Sequence, residues 1–305
     1  MSYPTIALKV ALTLLLLQSC SGGTKVVATQ RSAPPGMVWI PPGSYLLGSG
    51  RESPDELGER QVQTGGFFMD RTEVTNASFK EFVDDTGYIT IAERSASPDG
   101  SVPSGSACCR AALDTKDLLD RWAYVAGACW KHPQGPKSAI DGKLDFPVVH
   151  ITFADALAYA KWAGKDLPTQ DEWEVAARGG LVGKKYEWGD EFAAQGEWRS
   201  NTYQGMFPRA DHGDDGFKGL APVGSFEPNG YGLSDMTGNA WELTKDLAPD
   251  DETSGQHCRW AKGGSFLCAA NYCARYRPAA RIPIAEDTST EHVGFRCVVR
   301  GQKAP

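Results

Sequence analysis

Residues 10–17 form an apolar run interrupted only by Thr13, VALTLLLL, preceded by Lys9. Eight residues fall short of the ~20 that cross a bilayer; this is the length of a signal-peptide core. Further along, hydrophobic positions recur at helical spacing in three places. Thr75-Asn76 precedes Phe79, Phe82 and Val83, at i, i+3 and i+4, which predicts a helix ended by Gly87. Thr152-Phe-Ala-Asp155 precedes Ala156, Tyr159, Ala160 and Ala163 on one face, a second helix that stops at Gly164. Pro168-Thr169-Gln-Asp171 opens a third with an acidic first turn, carrying Trp173, Val175 and Ala176 and closed by Gly179-Gly180. Alternation over 37–48 predicts an edge strand and hairpin, and 67–73 and 146–150 read as short strands. Residues 96–142 carry few periodic signals. Beyond residue 186 the chain is short segments broken by Gly, Asn and Asp, with no long helix.

Composition narrows the class. Hydrophobic residues make up 41% and there are nine Trp, enough for a core, while 34 Gly and 19 Pro speak against a helical bundle. A net charge of −7 argues against a nucleic-acid partner. The apolar run leads to Leu17-Gln-Ser-Cys20, which looks like the lipidation signal of a bacterial lipoprotein. The chain then divides into a signal peptide (1–19), a lipidated Cys20 with a flexible tether (20–36), and one domain (37–305). That predicts export and a membrane partner through a lipid anchor, facing the periplasm or the cell exterior. An ordinary signal peptide with a chance cysteine is the other reading and also exports the chain.

Seven cysteines remain after Cys20: 108, 109, 129, 258, 268, 273 and 297. The odd number leaves at least one thiol unbridged or bound to something. Cys268 and Cys273 have C-x₄-C spacing, unlike the C-x₂-C of zinc ribbons or thioredoxins. Spacing alone leaves this pair as a disulfide or a functional dithiol. The neighbours Cys108 and Cys109 cannot easily bridge each other. His132 and His150 are isolated, with no ligand-like spacing, and read as structural.

A series of blocks runs in order along the domain: Phe68-Met-Asp-Arg-Thr-Glu-Val-Thr-Asn76, Trp130-Lys-His-Pro-Gln-Gly-Pro136, Leu167-Pro-Thr169, Glu172-Trp-Glu174, Pro228-Asn-Gly-Tyr-Gly-Leu233, Gly238-Asn-Ala-Trp-Glu242 and Gly294-Phe-Arg296. With Gly263-Gly-Ser-Phe-Leu-Cys268 and Tyr272-Cys273-Ala-Arg-Tyr-Arg277, the series resembles the formylglycine-generating enzyme (sulfatase-modifying factor) family. The resemblance implies an α+β fold, a variant of the C-type-lectin fold low in regular secondary structure. It implies an oxidase that converts a Cys within a C-x-P-x-R segment of a sulfatase polypeptide to formylglycine, using O₂ and Cu(I).

In that reading Cys268 and Cys273 hold copper, Ser265 is catalytic beside them, and Tyr272, Trp241 and His292 line the substrate cleft. Soft thiolates suit Cu(I). The resemblance also implies two structural Ca²⁺ sites. One comprises Asn201, the Thr202 carbonyl, Asp215 and the Phe217 carbonyl; the other comprises Asp235, Glu242 and the carbonyls of Gly238 and Ala240. Acidic loops rich in carbonyls suit that ion. This chain departs from the family in places. Ala160, Ala177 and Pro278 stand where some animal members have bridging cysteines, which leaves Cys297 without its family partner, and a replacement bridge involving Cys129 or Cys258 is the expectation that follows. Asp166 and His292 replace a basic residue and an Asn. The rival function is a non-catalytic envelope lipoprotein that uses the fold for protein binding; a third is an oxygenase of small thiols.

Overall fold

The computed structural model describes residues 33–50, 56–94, 100–110, 121–193, 196–250 and 255–301. The leader and Cys20 lie outside the described residues. No described helix is long and apolar enough to cross a membrane.

Regular elements are short. In chain order they are β1 (Met37–Ile40), β2 (Gly43–Leu47), β3 (Arg60–Thr64), β4 (Phe67–Asp70), α1 (Asn76–Thr86), β5 (Gly105–Cys109), β6 (Trp122–Ala126), α2 (Phe153–Trp162) and α3 (Gln170–Ala177). Then follow β7 (Gly205–Met206), β8 (Ala210–Asp211), β9 (Trp241–Ala248), β10 (Cys258–Lys262), β11 (Arg281–Ala285), β12 (Val293–Gly294) and β13 (Val298–Val299). This is an α+β arrangement with little regular structure, as the loop-rich composition implies.

All three helices form where the hydrophobic spacing places them, and their ends follow from capping. Thr75, Thr152 and Thr169 each accept a backbone N–H of the first turn. At Thr152 and Thr169 the third helical residue reaches back, Asp155 and Glu172 accepting the cap N–H at 3.0 and 2.8 Å. Gly87, at φ +67°, closes α1 in the left-handed conformation that glycine adopts without strain.

The strands depart further from the sequence reading. β1 and β2 are consecutive but do not pair as a hairpin. β1 pairs with β4, and β2 pairs with β3. Pro41-Pro42 lies between them; it supplies no N–H for a turn and sends the chain from one sheet to the next. Residues 146–150 form no strand; Pro147 makes a single bridge to Thr75, and His150 sits at φ +61°. The stretch 96–142, read as irregular, contains the β5–β6 hairpin.

A four-stranded sheet, ordered β11-β10-β9-β12, frames the site. β12 runs parallel to β9, Val293 opposite Trp241. A second sheet places β4 between β1 and β13, so both ends of the domain meet on one strand. One apolar core gathers Phe79, Phe82, Trp130, Tyr159, Trp241 and Phe295; another packs α3, through Trp173 and Val175, on Ile40, Met69 and Val298.

Between them lie fully buried ions. Arg296 donates from Nε and Nη2 to the two Glu242 oxygens, each at 2.7 Å, and Trp173 Nε1 donates to Glu242 Oε2 at 2.7 Å. Its other N–H groups reach the carbonyls of Asp70, Arg71 and Ser234. Lys262, 1% exposed, reaches Glu174 Oε2 at 3.2 Å, and Glu174 Oε1 accepts from Gly48 N and from Arg178. Removing one partner of a buried pair strands the other charge, at a cost of about 3–5 kcal/mol. Urea denaturation of Arg296→Met is therefore expected to show a loss of that size, partly recovered in Arg296→Met/Glu242→Leu. Thr169→Ala is expected to lose only about 1 kcal/mol, the worth of a helix cap.

Candidate functional site

The site begins where β10 ends. Lys262 is fixed by Glu174, and Gly263 and Gly264 follow at φ +99° and +83°. A Cβ on Gly264 would stand 2.9 Å from the Tyr276 Cα, so only glycine lets the two segments pass. The loop is then stitched to its neighbour: Gly238 N donates to Gly263 O and Phe266 N to Asn239 O, both at 2.9 Å. Two turns follow. Cys268 N donates to Ser265 O, and Cys273 N to Ala269 O, each at 2.9 Å.

Those turns bring Cys268 and Cys273 together, sulfur to sulfur at 2.9 Å, with Cys268 as donor. None of the seven cysteines from 108 onward is bridged. The expected replacement bridge involving Cys129 or Cys258 is thus absent; both thiols are buried, and Cys258 Sγ donates to the Gln256 carbonyl. The two sulfurs of the pair divide their ionisation. The Cys268 hydrogen bond, with Arg275 nearby, draws the Cys273 thiol down to about 7, while burial pushes Cys268 well up. Above pH 7 the pair carries one thiolate on Cys273 and one shared proton. Two soft sulfurs this close, unbridged and facing a cleft, fit a thiophilic monovalent metal.

The cleft has a volume of about 700 Å³. Cys268, Cys273 and Ser265 line it, with Trp241, Tyr272 and His292, so all six sequence-predicted site residues share one cavity. Ser265 Oγ is 4.0 Å from Cys268 Sγ and accepts the Leu267 N–H at 3.3 Å. Tyr272 stacks on Phe207 at 4.2 Å, nearly parallel. Trp122, Trp260, Cys258 and Arg275 also line the cleft, and sequence reasoning missed them as site residues. Trp122 lay in the stretch read as irregular, and Cys258 stood off the common pattern. Only the strand register brings them in. His132 and His150 stay structural: His132 bonds the Ser138 carbonyl, and His150 bonds Ser106 and the Pro133 carbonyl.

The two expected calcium sets behave differently. In the first, Gln204 Nε2 donates to the Thr202 carbonyl and to Asp215 Oδ2, while Asp215 N donates back to Gln204 Oε1 at 3.1 Å. Phe217 N donates to Asp215 Oδ1, and Asn201 Nδ2 to Asn239. An amide nitrogen thus binds two of the four donors assigned to the ion, and metal would have to displace it.

The second set adjoins a buried acidic cluster. Asp235 and Glu242, with Glu73 and Glu187, face Arg296 as the one described cation among them. Gly238 and Ala240 lie on the same loop. Burial raises Glu73 and Asp235, and takes Glu187 to about 8. Glu73 Oε2, Glu187 Oε2 and Thr237 Oγ1 are buried without a hydrogen-bond partner. This oxygen-rich, charge-deficient spot suits a hard cation. Among the described residues no three His, Cys, Asp or Glu gather as a metal cluster, so an ion here would depend on main-chain carbonyls.

The chain matches the sulfatase-modifying factor enzyme 1-like domain over residues 23–301. It is 43% identical over 291 residues to the formylglycine-generating enzyme of Mycobacterium tuberculosis, covering 86% of this chain and 97% of that one. It is 39% identical over 270 residues to a Mus musculus protein named inactive C-alpha-formylglycine-generating enzyme 2, covering 86% and 85%. Among solved structures, PvdO from Pseudomonas aeruginosa superposes with a TM-score of 0.60 at 23% identity, covering 86% of this chain and 93% of that one. The fold is the formylglycine-generating-enzyme variant of the C-type-lectin fold.

Iodoacetamide labelling followed by peptide mass spectrometry tests the shared proton. Alkylation of Cys273 is expected to rise with pH to a midpoint near 7. Cys268→Ala removes the donated S–H and moves that midpoint up toward roughly 8.5, the ordinary thiol value. An unchanged midpoint would mean that Cys268 does not hold the Cys273 thiolate.

Proposed function

We propose, from the premise that the chain belongs to the sulfatase-modifying factor family, that it is an oxidoreductase converting a cysteine of a sulfatase polypeptide, within a C-x-P-x-R segment, to formylglycine. The observation that carries this reading is the unbridged Cys268–Cys273 pair, 2.9 Å apart in a cleft of about 700 Å³.

Cu(I) held by both sulfurs would supply O₂ activation. The protein's part is to prepare that dithiol and receive the peptide. Cys273 presents a thiolate and Cys268 one removable proton, so a monovalent cation taking that proton's place would leave the pair's single negative charge unchanged. The Arg275 guanidinium offsets the remaining negative charge. Ser265 has its oxygen committed to the Leu267 N–H, which leaves its hydroxyl proton for a sulfur in the cleft. Trp241, Tyr272 and Leu267 shield the substrate sulfur from water.

Electron balance adds a requirement. Turning a thiol carbon into an aldehyde, with water entering and hydrogen sulfide leaving, releases two electrons, whereas O₂ takes four on reduction to water. Reduction of O₂ to water would therefore need a second, thiol-class reductant for the other two, whereas reduction to hydrogen peroxide balances with the substrate alone. Calcium at the Asp235 cluster would hold buried carboxylates ionised and pin loops that no helix restrains. Cys20 carries the lipid that tethers the exported domain to the membrane.

Mass spectrometry of a C-x-P-x-R peptide, incubated with copper-loaded protein, O₂ and a thiol reductant, tests the activity. The expected result is an aldehyde at the peptide cysteine, lost in Cys268→Ala and in Cys273→Ala and reduced in Ser265→Ala. Bound copper without conversion would point to a small-thiol substrate. Neither copper nor conversion would leave a binding scaffold for the cell envelope. Removing calcium with EGTA is expected to lower the melting temperature, with the response lost in Asp235→Ala. At a hundredfold excess over Kd the ion would contribute about 2.7 kcal/mol.

A further inference from the structure

Leu181 and Val182 stand at the tip of the turn that follows α3. They are 38% and 68% exposed, Val182 more than any other large apolar side chain among the described residues, and neither joins an apolar core. The turn that carries them is fixed. Buried Arg178 donates to Glu174 at 2.7 Å and to the Lys184 carbonyl at 3.4 Å, so it holds both feet of the turn, and Leu181 N donates to the Arg178 carbonyl at 2.8 Å. Gly179 sits at φ +56°, and a Cβ there would stand 2.8 Å from the Gly230 nitrogen, so the turn packs directly on the 229–231 loop. Apolar surface held out on a fixed turn needs little further ordering to be buried against a partner.

The chain enters the domain beside this turn. A Cβ on Gly180 would touch the Tyr231 hydroxyl at 3.7 Å, and one on Gly232 would touch Val38 of β1, also at 3.7 Å. Just before Val38, Met37 N donates to the Pro34 carbonyl and Arg71 N to the Gly36 carbonyl, which fixes the entry point there. Only the pair 231–232 separates the apolar tip from the place where residues 21–36 arrive from Cys20. That stretch spans at most about 60 Å. A lipid on Cys20 therefore keeps this side of the domain close to the bilayer, where a weak contact counts as an intramolecular one.

The tip has the chemistry of the boundary between headgroups and acyl chains. Two branched apolar side chains are followed by Gly183 and two lysines. Lys184 pairs with Asp190 at 2.7 Å, but the two side chains are 46% and 58% exposed, and such a pair competes weakly with a phosphate. Lysine stems lie along apolar surface while their ammonium groups reach outward to the headgroups. We infer that Leu181 and Val182 form a second membrane contact: they bury in the acyl–headgroup boundary of the bilayer that holds the Cys20 lipid, with Lys184 and Lys185 at the level of the phosphates. This rests on the lipid-anchor reading above.

The test uses the lipidated protein in vesicles of phosphatidylethanolamine and phosphatidylglycerol. The photoreactive residue benzoylphenylalanine replaces Val182 or, as a control, Ile89, which is 55% exposed and follows Tyr88, a residue bonded to Asp155 of α2. Peptide mass spectrometry reads the lipid adducts after irradiation. Burial of the exposed apolar surface favours the contact roughly tenfold, so adducts from position 182 are expected about tenfold above those from position 89. Adding Leu181→Asp is expected to bring that ratio down toward one without moving the melting temperature, since Leu181 packs in no core. In the protein without the photoreactive residue, hydrogen exchange over 180–184 is expected to slow on vesicles relative to Cys20→Ser in solution. Equal adducts at positions 182 and 89, or unchanged exchange over 180–184, in a protein shown by mass to carry lipid on Cys20 would overturn the contact and leave the anchor standing. A mature protein without that lipid would bring down both.

Discussion

Arg296 holds a full positive charge at zero exposure, and much of the molecule is arranged around it. Its guanidinium spans β9 through Glu242 and reaches the carbonyls of residues 70, 71 and 234, which belong to segments with no common sheet. A loop-rich chain has few long ladders to fix such segments. A planar group with five donors can do so from one point, because each bond has a set direction. Trp173 shares the same glutamate, so α3 is oriented by the same contact. Replacing such a pair with apolar residues can match its stability; it would not reproduce the five-way registration.

The site inherits its geometry from this frame. Lys262 closes β10 against Glu174 of α3, and the chain then enters the two glycines and the cysteine turns. The segment that leads to the sulfur pair therefore starts from a buried ion pair at Lys262, six residues before Cys268, and is hydrogen-bonded to the 238–239 loop through Gly263 and Phe266. That loop runs directly into Trp241 and Glu242. Sulfur placement and core electrostatics are thus one mechanical unit. The cysteine turns have no helix of their own, and their precision comes from what lies behind them.

Legibility in the sequence followed the range of the interactions. The helices at 76–86, 153–162 and 170–177 were readable because caps and apolar spacing are local. Of the strands, β1, β2 and β4 lie where the sequence placed them, but their pairing and the other strands were not readable. β9 contains Trp-Glu-Leu-Thr-Lys-Asp-Leu-Ala, with too little alternation to announce an eight-residue strand, and its identity comes from partners on both sides. The β5–β6 pair went unread because β5, Gly-Ser-Ala-Cys-Cys, is built of small residues, although β6, Trp-Ala-Tyr-Val-Ala, carried a strand signal. At the site, Cys268, Cys273, Ser265, Tyr272, Trp241 and His292 could be named from family motifs, and the cleft unites them. Trp122, Trp260 and Cys258 could not, because only tertiary pairing carries them there. Spacing also said nothing of Gln204, whose amide lies between Thr202 and Asp215, or of Glu187 in the acidic cluster.

The pairing of β4 with both β1 and β13 bears on when this protein comes to exist as a folded object. The strand at residues 67–70 gains its second neighbour only when residues 298–299 have been synthesised. Glu73 waits for Arg296 over nearly the same interval, and Glu242 for a further 54 residues after it is made. Until then the emerging chain lacks both a completed sheet and the counter-charge for its buried acids. Closure of that sheet and neutralisation of those acids are thereby deferred until residues 296–299 have been made.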